Sequence, residues 1–467
     1  MLEGLEISEV LLSELERTTR FDSEFYGKEN LEIENKISSL NTRSVADLTK
    51  VSDGNHMSIS KNFQDSGIPY YRGQNIHSFF IENSNPIYIN RDTYDWPHMK
   101  RSHLKKGDVL LSIVGTIGGV SLVSTNNAAT CNCKLAILRP KGIDGFFLAA
   151  FLKSTYGQNQ VKKFTRGAVQ MGLILEDMNQ IHVPILSKEF QLTIRSTIEL
   201  SSKSKDLSTI AYQSAENTLL STFGLDNFHP SQEAVNVKNF SEFLGSSGRL
   251  DAEFYQPKYD DLLIAIRKNS EYHRIGDIRT DNFRGLQPKY VESGKLNVIN
   301  SKHILEKSLN YENFEKTSID YWNTQKRARV FKGDILTYTT GANIGRTQVY
   351  LSEEKALASN HVNILRLKGD NNSFYVGFVL NSLVGRMQTE RFSAGSAQAE
   401  LYPKDIDQFL IPFCSNEKQN EIIELAEESF KLKKQSEHLL EVAKTAVEIA
   451  IEQDEETALE YIKTNSN

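Results

Sequence analysis

Two glycine-rich runs have the composition most suggestive of chemistry, because glycine loops that follow a strand often cradle phosphate. They are KGDVLLSIVGTIGG at residues 106–119 and KGDILTYTTGANIG at residues 332–345. A phosphate-binding P-loop needs G-x-x-x-x-G-K-[ST], whose lysine reaches the terminal phosphates. Residues 341–347, GANIGRT, have neither the spacing nor the lysine. A strand-like TQVYL follows where a dinucleotide fingerprint needs a helix, so the pattern predicts turns between strands instead of a nucleotide site.

Common catalytic and metal-binding motifs are also missing from the sequence. Neither H-E-x-x-H nor G-x-S-x-G occurs. The three cysteines, Cys131, Cys133 and Cys414, are too few for a disulfide framework and predict a reducing compartment. Cys131 and Cys133 form a C-x-C pair, but no second pair of ligands stands at zinc-site spacing. We therefore expect no catalytic residue and no metal in this chain.

A cluster of cations beside a tryptophan precedes each KGD. The two tryptophans, Trp96 and Trp322, align at an offset of 226 residues. The cations that follow them are Lys100, Arg101, His103 and Lys106 in the first half, and Lys326, Arg327, Arg329 and Lys332 in the second. Lys and Arg neutralise phosphates, and both can read guanine edges. The cluster predicts nucleic-acid binding; the alternative is a solvated charge run with a tryptophan packed into the local core.

A second candidate surface lies earlier in each half, where a β-rich stretch ends in amide, hydroxyl and basic side chains. The stretches are IPYYRGQNI at 68–76 and LNVINSKHI at 296–304. The candidate DNA-binding residues here are Tyr70, Tyr71, Arg72, Gln74 and Asn75, and Asn300, Ser301, Lys302 and His303. Such side chains make the pairings that discriminate base pairs in the major groove. The frame repeats while the residue types differ, as expected of one scaffold that reads two sequences.

The elements that position these residues are encoded twice. RFDSEFY at 20–26 returns as RLDAEFY at 249–255, and residues 157–184 align with 385–412 at a constant offset of 228 without a gap. A repeat of this length indicates a tandem duplication. Each half predicts a lead-in helix, a long β-rich stretch, a short helix at about 145–163 or 373–391, and a long polar helix at about 188–222 or 416–463. In the last helix Leu439, Ala443, Ala446 and Ala450 form a heptad-like stripe, which favours packing of the two long helices on each other.

Length and charge fit a multidomain protein of the cytoplasm. The 467 residues predict two to four domains, and no apolar run approaches the ~18 to 20 residues of a membrane span. No basic-then-apolar signal peptide is recognisable at the N-terminus. The net charge is −6, but residues 417–467 alone hold 13 acidic and 6 basic side chains. The remaining body is therefore nearly neutral and carries local basic clusters.

In the order and doubling of these features, the chain resembles the specificity (S) subunit of a Type I restriction–modification system. The motifs are the two glycine-rich runs, CNCKLAILRP and ASNHVNILRLK, GAVQ before VP and GSAQ before IP, and the helix after each. The resemblance implies an α+β fold: a tandem duplication of a β-rich target-recognition domain followed by a long helix. The two long helices are expected to pair as an antiparallel coiled coil with internal pseudo-twofold symmetry.

The resemblance also implies a domain order. The segments are an N-terminal helical lead-in (1–40), target-recognition domain 1 (41–187), a central conserved helical spacer (188–248), the lead-in of the second repeat (249–272), target-recognition domain 2 (273–415) and a C-terminal conserved helix (416–467). Carried over by position, it adds Gly167 and Gln170, and Gly395 and Gln398, to the DNA-binding candidates.

The function implied is that of a non-catalytic subunit in phage defence that reads a two-part double-stranded DNA target. Two methyltransferase subunits would bring S-adenosylmethionine, and restriction–translocase subunits would bring ATP and magnesium; this chain would hold no cofactor and touch no membrane. Two alternatives remain at this point. One is a coiled-coil interaction scaffold whose β-rich domains bind protein or glycan, and the other is an enzyme with an unrecognised active site.

Overall fold

The computed structural model describes residues 6–18, 20–82, 87–167, 171–233, 235–239, 241, 249–311, 313–369, 371–395 and 399–466. They form two compact units. Unit 1 is built from residues 1–205 and 434–467, and unit 2 from residues 206–433. Each unit contains one copy of the repeat.

The helices and strands follow the predicted order in both copies. The α-helices are α1 (Leu12–Thr18), α2 (Lys28–Ser38), α3 (Val45–Leu48), α4 (Arg91–Tyr94), α5 (Gly145–Lys153), α6 (Thr155–Phe164), α7 (Lys188–Thr222), α8 (Pro257–Asn269), α9 (Ile275–Ile278), α10 (Asp320–Thr324), α11 (Ser373–Asn381), α12 (Leu383–Phe392), α13 (Pro403–Ile406), α14 (Asn416–Glu452) and α15 (Glu455–Asn465). The strands of unit 1 are β1 (Thr42–Ser44), β2 (Thr49–Asp53), β3 (Phe63–Gln64), β4 (Ile68–Tyr71), β5 (Tyr88–Ile89), β6 (Val109–Ser112), β7 (Val120–Leu122), β8 (Thr130–Cys131), β9 (Leu135–Pro140) and β10 (His182–Pro184). Those of unit 2 are β11 (Glu271–Arg274), β12 (Arg279–Arg284), β13 (Leu296–Ile299), β14 (Glu315–Thr317), β15 (Arg329–Val330), β16 (Ile335–Tyr338), β17 (Thr347–Val349), β18 (Ala356–Ala358), β19 (Val362–Leu367) and β20 (Leu410–Phe413).

One four-stranded sheet has the same strand order in both units, and the other shares three of its four strands, which confirms the tandem duplication in an α+β fold. One four-stranded sheet has the order β2-β9-β6-β7 in unit 1 and β12-β19-β16-β17 in unit 2. The other has the order β3-β5-β4-β8 in unit 1 and β14-β13-β18-β15 in unit 2. In both units that second sheet contains one parallel pair, β4 with β8 and β13 with β18. A short antiparallel pair joins the start of each copy to its end, β1 with β10 and β11 with β20.

Each predicted short helix is in fact two helices that meet at a serine. Ser154 ends α5 and caps α6 by accepting a hydrogen bond from the Gly157 N–H (3.3 Å). Ser382 ends α11 and caps α12 by accepting a hydrogen bond from the Val384 N–H (3.2 Å). The glycines three residues later allow this close crossing, because a Cβ on Gly157 would lie 2.2 Å from the Phe151 carbonyl oxygen. The prediction of one continuous helix was wrong because a helical apolar pattern continued across a capping residue.

The long helices pair antiparallel, as predicted. In unit 1 the Ser201 hydroxyl donates to the Ser436 carbonyl (2.8 Å), while Ser187, just before α7, bonds to Glu455 at the far end of the partner. In unit 2 Ser208 and Ser429 exchange hydroxyl-to-carbonyl bonds of 2.8 and 2.7 Å. The predicted stripe is buried in the core of unit 1; it comprises Leu439, Ala443, Ala446 and Ala450.

The predicted C-terminal helix at about 416–463 is interrupted. Helix α14 ends at Glu452, and Asp454 caps α15 by accepting from the Thr457 N–H (2.8 Å). An aspartate at this position satisfies an N–H that the first turn of a helix leaves without a partner. The interruption lets α15 bury Ala458 and Ile462 in the core of unit 1.

Candidate nucleic-acid interface

The first KGD turn fixes the end of the basic segment in unit 1. Gly107 has a φ of +90°, which favours glycine. The Asp108 carboxylate is 1% exposed and accepts two hydrogen bonds from the Arg139 guanidinium (2.7 and 2.8 Å). It also accepts the Lys105 N–H (2.8 Å). These bonds raise the pKa of Arg139 and tie the turn to strand β9.

Unit 2 repeats this arrangement with one addition. Gly333 has a φ of +89°, and the buried Asp334 carboxylate accepts two bonds of 2.8 Å from Arg366 and one of 2.8 Å from the Phe331 N–H. Arg366 also donates to Asp281 (3.0 Å). The glycine-rich runs thus form strand turns, as predicted, and the aspartate after each glycine is a scaffold residue.

The basic segment of unit 1 presents lysines on a structured loop. Residues 97–102 form a 3-10 helix on which Lys100 is exposed, and Lys106 is exposed at the turn. Arg101 is also exposed but pairs with Asp53 at the end of β2. Trp96 is half-buried against the core formed by Ile59, Ile89 and their neighbours. The lysines are therefore free to contact phosphate, whereas the tryptophan packs.

His103 is held inside this loop by a stacked neighbour. Its ring lies 3.7 Å from the Tyr94 ring at an interplanar angle of 4°, and its Nε2 lies 2.8 Å from the Tyr94 carbonyl oxygen. The preceding Ser102 is buried and hydrogen-bonded to Thr130 (2.7 Å). His103 has little freedom to reorient, so it supports the loop that carries the lysines.

In unit 2 the tryptophan is covered by cations. The Arg329 guanidinium lies 4.9 Å and the Lys355 ammonium 5.4 Å from the Trp322 ring centroid. Arg329 also donates to the Trp322 carbonyl (2.7 Å). Such cation–π contacts stabilise the loop and occupy the ring face. Neither tryptophan is an open platform for base stacking.

Three other cations of this segment lie on the surface. Lys326 and Arg327 are exposed, and the Arg327 guanidinium lies 5.5 Å from the Phe283 ring centroid. Lys332 is exposed and pairs with Glu353 (2.8 Å). Lys326 and Arg327 are the cations of unit 2 that correspond to Lys100 and Arg101 of unit 1.

The second predicted surface is partly interior in unit 1. Gln74 is exposed and Tyr71 and Arg72 are half-buried, whereas Tyr70 and Asn75 are buried. The Asn75 amide accepts the Arg72 N–H (3.0 Å) and donates to the Glu82 carbonyl (2.9 Å). Because both ends of the Asn75 amide are hydrogen-bonded within the protein, Asn75 stabilises the turn. The neighbouring Gln74 is exposed and can contact a ligand.

The matching turn of unit 2 is held by a buried histidine. His303 is 1% exposed, and its Nδ1 accepts the Asn300 N–H (3.0 Å). Burial, followed by the charge of Lys302, lowers the pKa of His303. Lys302 is exposed and pairs with Glu315, while Asn300 and Ser301 are half-exposed. The turn thus offers amide, hydroxyl and ammonium groups around an uncharged imidazole.

The third predicted pair of loops is anchored identically in the two units. Arg166 and Gly172 exchange main-chain bonds (3.0 and 2.9 Å), as do Ala394 and Glu400 (2.9 and 2.8 Å), 228 residues later. Gly167 and Gly395 are exposed and share a φ of +125°. Gln170 and Gln398 lie outside the described residues.

One further pair of residues at the same edge was not anticipated. Gly54 and Gly285 occupy equivalent places, because a Cβ on either would lie 2.1 Å from a carbonyl oxygen of the adjacent strand connection. The residues before them are therefore equivalent: Asp53 in unit 1 and Arg284 in unit 2. Arg284 lies 4.7 Å from the Tyr402 ring centroid and donates to the Leu401 carbonyl (2.9 Å). The doubled Asp-Gly and Arg-Gly pairs were the available sequence signal.

Two other chemistries have no site in the described ranges. There, no group of three or more His, Cys, Asp or Glu side chains is placed to hold a metal ion. No helix found in those same ranges has the length and apolarity needed to cross a membrane.

Comparison with known proteins assigns the second half directly. The model of the family described as the Type I restriction modification DNA specificity domain matches residues 267–441. No curated protein matches the chain. Among solved structures, the S subunit of the Type I restriction–modification system from M. genitalium aligns over 91% of this chain and 96% of its own, at 15% identity and a TM-score of 0.44. The HsdS subunit from Thermoanaerobacter tengcongensis aligns over 89% and 97%, at 14% identity and a TM-score of 0.29.

The family match covers unit 2 from the end of α8 through its sheets. Unit 1 is related to that region by the internal repeat. The same buried Asp–Arg pair, the same glycine turn and the same anchored hairpin recur there. Over residues 267–441 the chain is therefore similar to the DNA specificity domain of Type I restriction–modification systems.

Proposed function

We propose that the two units read the two parts of a split DNA target, each through its basic segment and the neighbouring loops. The observation that carries the proposal is the repeated turn. In each unit a buried Asp–Arg pair ends a segment with exposed cations, Lys100 and Lys106 in unit 1 and Lys326 and Arg327 in unit 2. Exposed cations on a fixed loop suit a phosphate backbone, which orients a protein on the duplex.

The equivalent positions differ in ways that support reading of two different sequences. Asp53 of unit 1, whose carboxylate is paired with Arg101, corresponds to Arg284 of unit 2, whose guanidinium can donate to guanine. Gln74 likewise lies on the turn that in unit 2 carries Ser301 and Lys302. The scaffold therefore keeps its main-chain geometry while the donors and acceptors at its edge change.

The assembly we propose around this chain follows the family. Two methyltransferase subunits would contribute S-adenosylmethionine and extrude the target adenine, and restriction–translocase subunits would contribute ATP and magnesium. This chain would supply sequence selectivity and the surface on which those subunits meet, in the cytoplasm where the DNA is. The nearly neutral body and net charge of −6 favour weak DNA binding by the isolated chain, with the partners adding basic surface.

The test is a charge reversal in one unit. The double variant Lys326→Glu and Arg327→Glu is reconstituted with the methyltransferase subunits, and methylated adenines are mapped on a library of random DNA. We expect selectivity to fall in one half of the target while the other half is retained. The matched control is Lys418→Glu, a half-exposed lysine of unit 2 on α14 that pairs with Glu421 on its own helix. Equal loss of both halves, or an unchanged target, would refute the assignment.

A further inference from the structure

A polar cavity of about 450 Å³ lies in unit 1, away from the basic segment. The 3-10 helix at 23–26 and helices α2, α5, α6 and α14 line it. Its size falls within the ~300 to 1,000 Å³ of small-ligand sites. Five cations line it against three carboxylates, Asp22, Glu24 and Glu29. Among the lining side chains themselves, the cations outnumber the carboxylates by two.

Three of the cations are lysines that the cavity leaves poorly neutralised. Lys162 is exposed and forms no ion pair with any residue that the structure describes. Lys153 donates to the His77 carbonyl (3.1 Å) and forms no ion pair with a carboxylate in the described part of the chain. Lys444 pairs with Glu441 on its own helix. Burial and the neighbouring Lys444 lower the pKa of Lys153 to about 8. An anion bound between these ammonium groups would offset the repulsion between Lys153 and Lys444 and would stabilise the charged form of the buried Lys153.

The other two cations are already engaged. Arg20 pairs with Asp22 (2.6 Å), and Lys163 pairs with Glu34 and lies 4.4 Å from the Phe25 ring centroid. They shape the wall of the cavity, and amide side chains such as Gln158 add donors beside them. The positive charge available to a ligand thus comes from the three lysines.

Unit 2 provides an internal comparison, because the charged residues at the equivalent positions there form ion pairs inside that unit. At the constant offset of 228, Lys162 corresponds to Glu390, which pairs with Lys258 (2.6 Å). Lys444 corresponds to Glu216, which pairs with Arg386 (2.7 Å). Two lysines of unit 1 are thus acidic in unit 2, and both replacements are satisfied by ion pairs within that unit.

Lys153 follows the same pattern. Its counterpart is Asn381, an uncharged residue whose amide accepts the Thr347 N–H (2.9 Å) and donates to the Thr347 carbonyl (2.5 Å). A requirement of the fold would appear in both units. The three lysines appear in one, so a ligand of unit 1 explains them better than folding does.

We propose that this cavity binds a phosphate group and that unit 2 has no such site. A phosphate group carries one negative charge as a DNA diester and about two as a free anion near neutral pH, and its several oxygens can accept from more than one lysine, whereas one carboxylate would leave a lysine without a partner. Lysine ammonium groups bind phosphate as point charges. The phosphate belongs either to a free anion or to the DNA backbone, and the site is separate from the surfaces that read the target.

The test is pyrophosphate titration of the full chain by calorimetry, without phosphate in the buffer. We expect saturable binding that weakens at least tenfold in Lys162→Glu and in Lys444→Glu, each of which installs the residue type of unit 2. Lys162→Gln removes the charge without reversing it and should weaken binding less. The control Lys418→Glu should bind pyrophosphate as the parent does. Circular dichroism confirms that each variant is folded.

A second arm identifies the source of the phosphate. The slope of log K against log salt is measured for a DNA duplex with the same variants. If the backbone occupies the cavity, Lys162→Glu lowers the slope by about 1; if a free anion does, the slope is unchanged while pyrophosphate binding is lost. Two results overturn the proposal: neither arm responds, or Lys162→Glu and Lys418→Glu behave alike. Target selectivity is measured separately, so it can fail or hold independently of this site.

Discussion

The buried Asp–Arg pairs give the sharpest prediction, because the chain contains two copies that differ in one contact. Asp108→Asn and Asp334→Asn each remove a carboxylate charge that is 1% or 2% exposed while keeping the size of the side chain. In unit 1 Arg139 then keeps the new amide oxygen and, among the described residues, the His103 carbonyl (3.1 Å), but no carboxylate. In unit 2 Arg366 keeps the Asp281 carboxylate (3.0 Å). We therefore expect Asp108→Asn to be the more destabilising.

The magnitude follows from what each arginine loses. Removing one partner of a buried pair costs about 3 to 5 kcal/mol. Both arginines are about 30% exposed and can be partly hydrated, which places Asp108→Asn at the low end, about 3 kcal/mol. Because Arg366 keeps the Asp281 carboxylate, Asp334→Asn should lower the free energy of unfolding by only about 2 kcal/mol.

The two tryptophans provide the assay, because each unit contains one. In a Trp322→Phe background the fluorescence of Trp96 follows unit 1, and in a Trp96→Phe background Trp322 follows unit 2. Urea unfolding then gives the free energy for each unit with its own aspartate variant. Equal losses in the two units, or a larger loss for Asp334→Asn, would show that the Asp281 contact does not compensate and would refute the reasoning.

Three further outcomes are expected from the same assay. Gln388→Ala should cost unit 2 about 2 kcal/mol, because the Gln388 amide bonds both the N–H and the carbonyl of Leu410 (2.7 and 3.0 Å); an unchanged transition would contradict this. Gly333→Ala should cost about 1 to 2 kcal/mol from its positive φ alone, since no atom lies within 4 Å of the added Cβ. Lys153 has a folded-state pKa of about 8, below its ordinary 10.5, so its protonated form costs stability. Unit 1 should therefore gain about 3 kcal/mol as the pH rises from 8 to 10.5, and the gain should be absent in Lys153→Met.

The internal repeat could be recognised from sequence, and it predicted the order of helices and strands in both units. A constant offset of 228 across 28 residues fixed which elements correspond, and apolar periodicity placed α7 at Lys188–Thr222 as predicted. The breaks at Ser154 and Asp454 were missed, since a single capping residue interrupts a helix without changing the apolar pattern around it.

What sequence alone determined was the type and order of elements and the duplication, because these depend on local pattern and composition; the segments that face DNA stay a prediction. Which side chains are accessible was decided by tertiary structure. Asn75 and His303 look like ligand-binding residues in sequence, but each is buried in the folded turn that it holds. Arg284 became a candidate only when Gly285 was seen packed against the Ala358 carbonyl. The lysine cavity likewise joins Lys162 to Lys444, whose proximity depends on how helices pack and leaves no trace in local sequence.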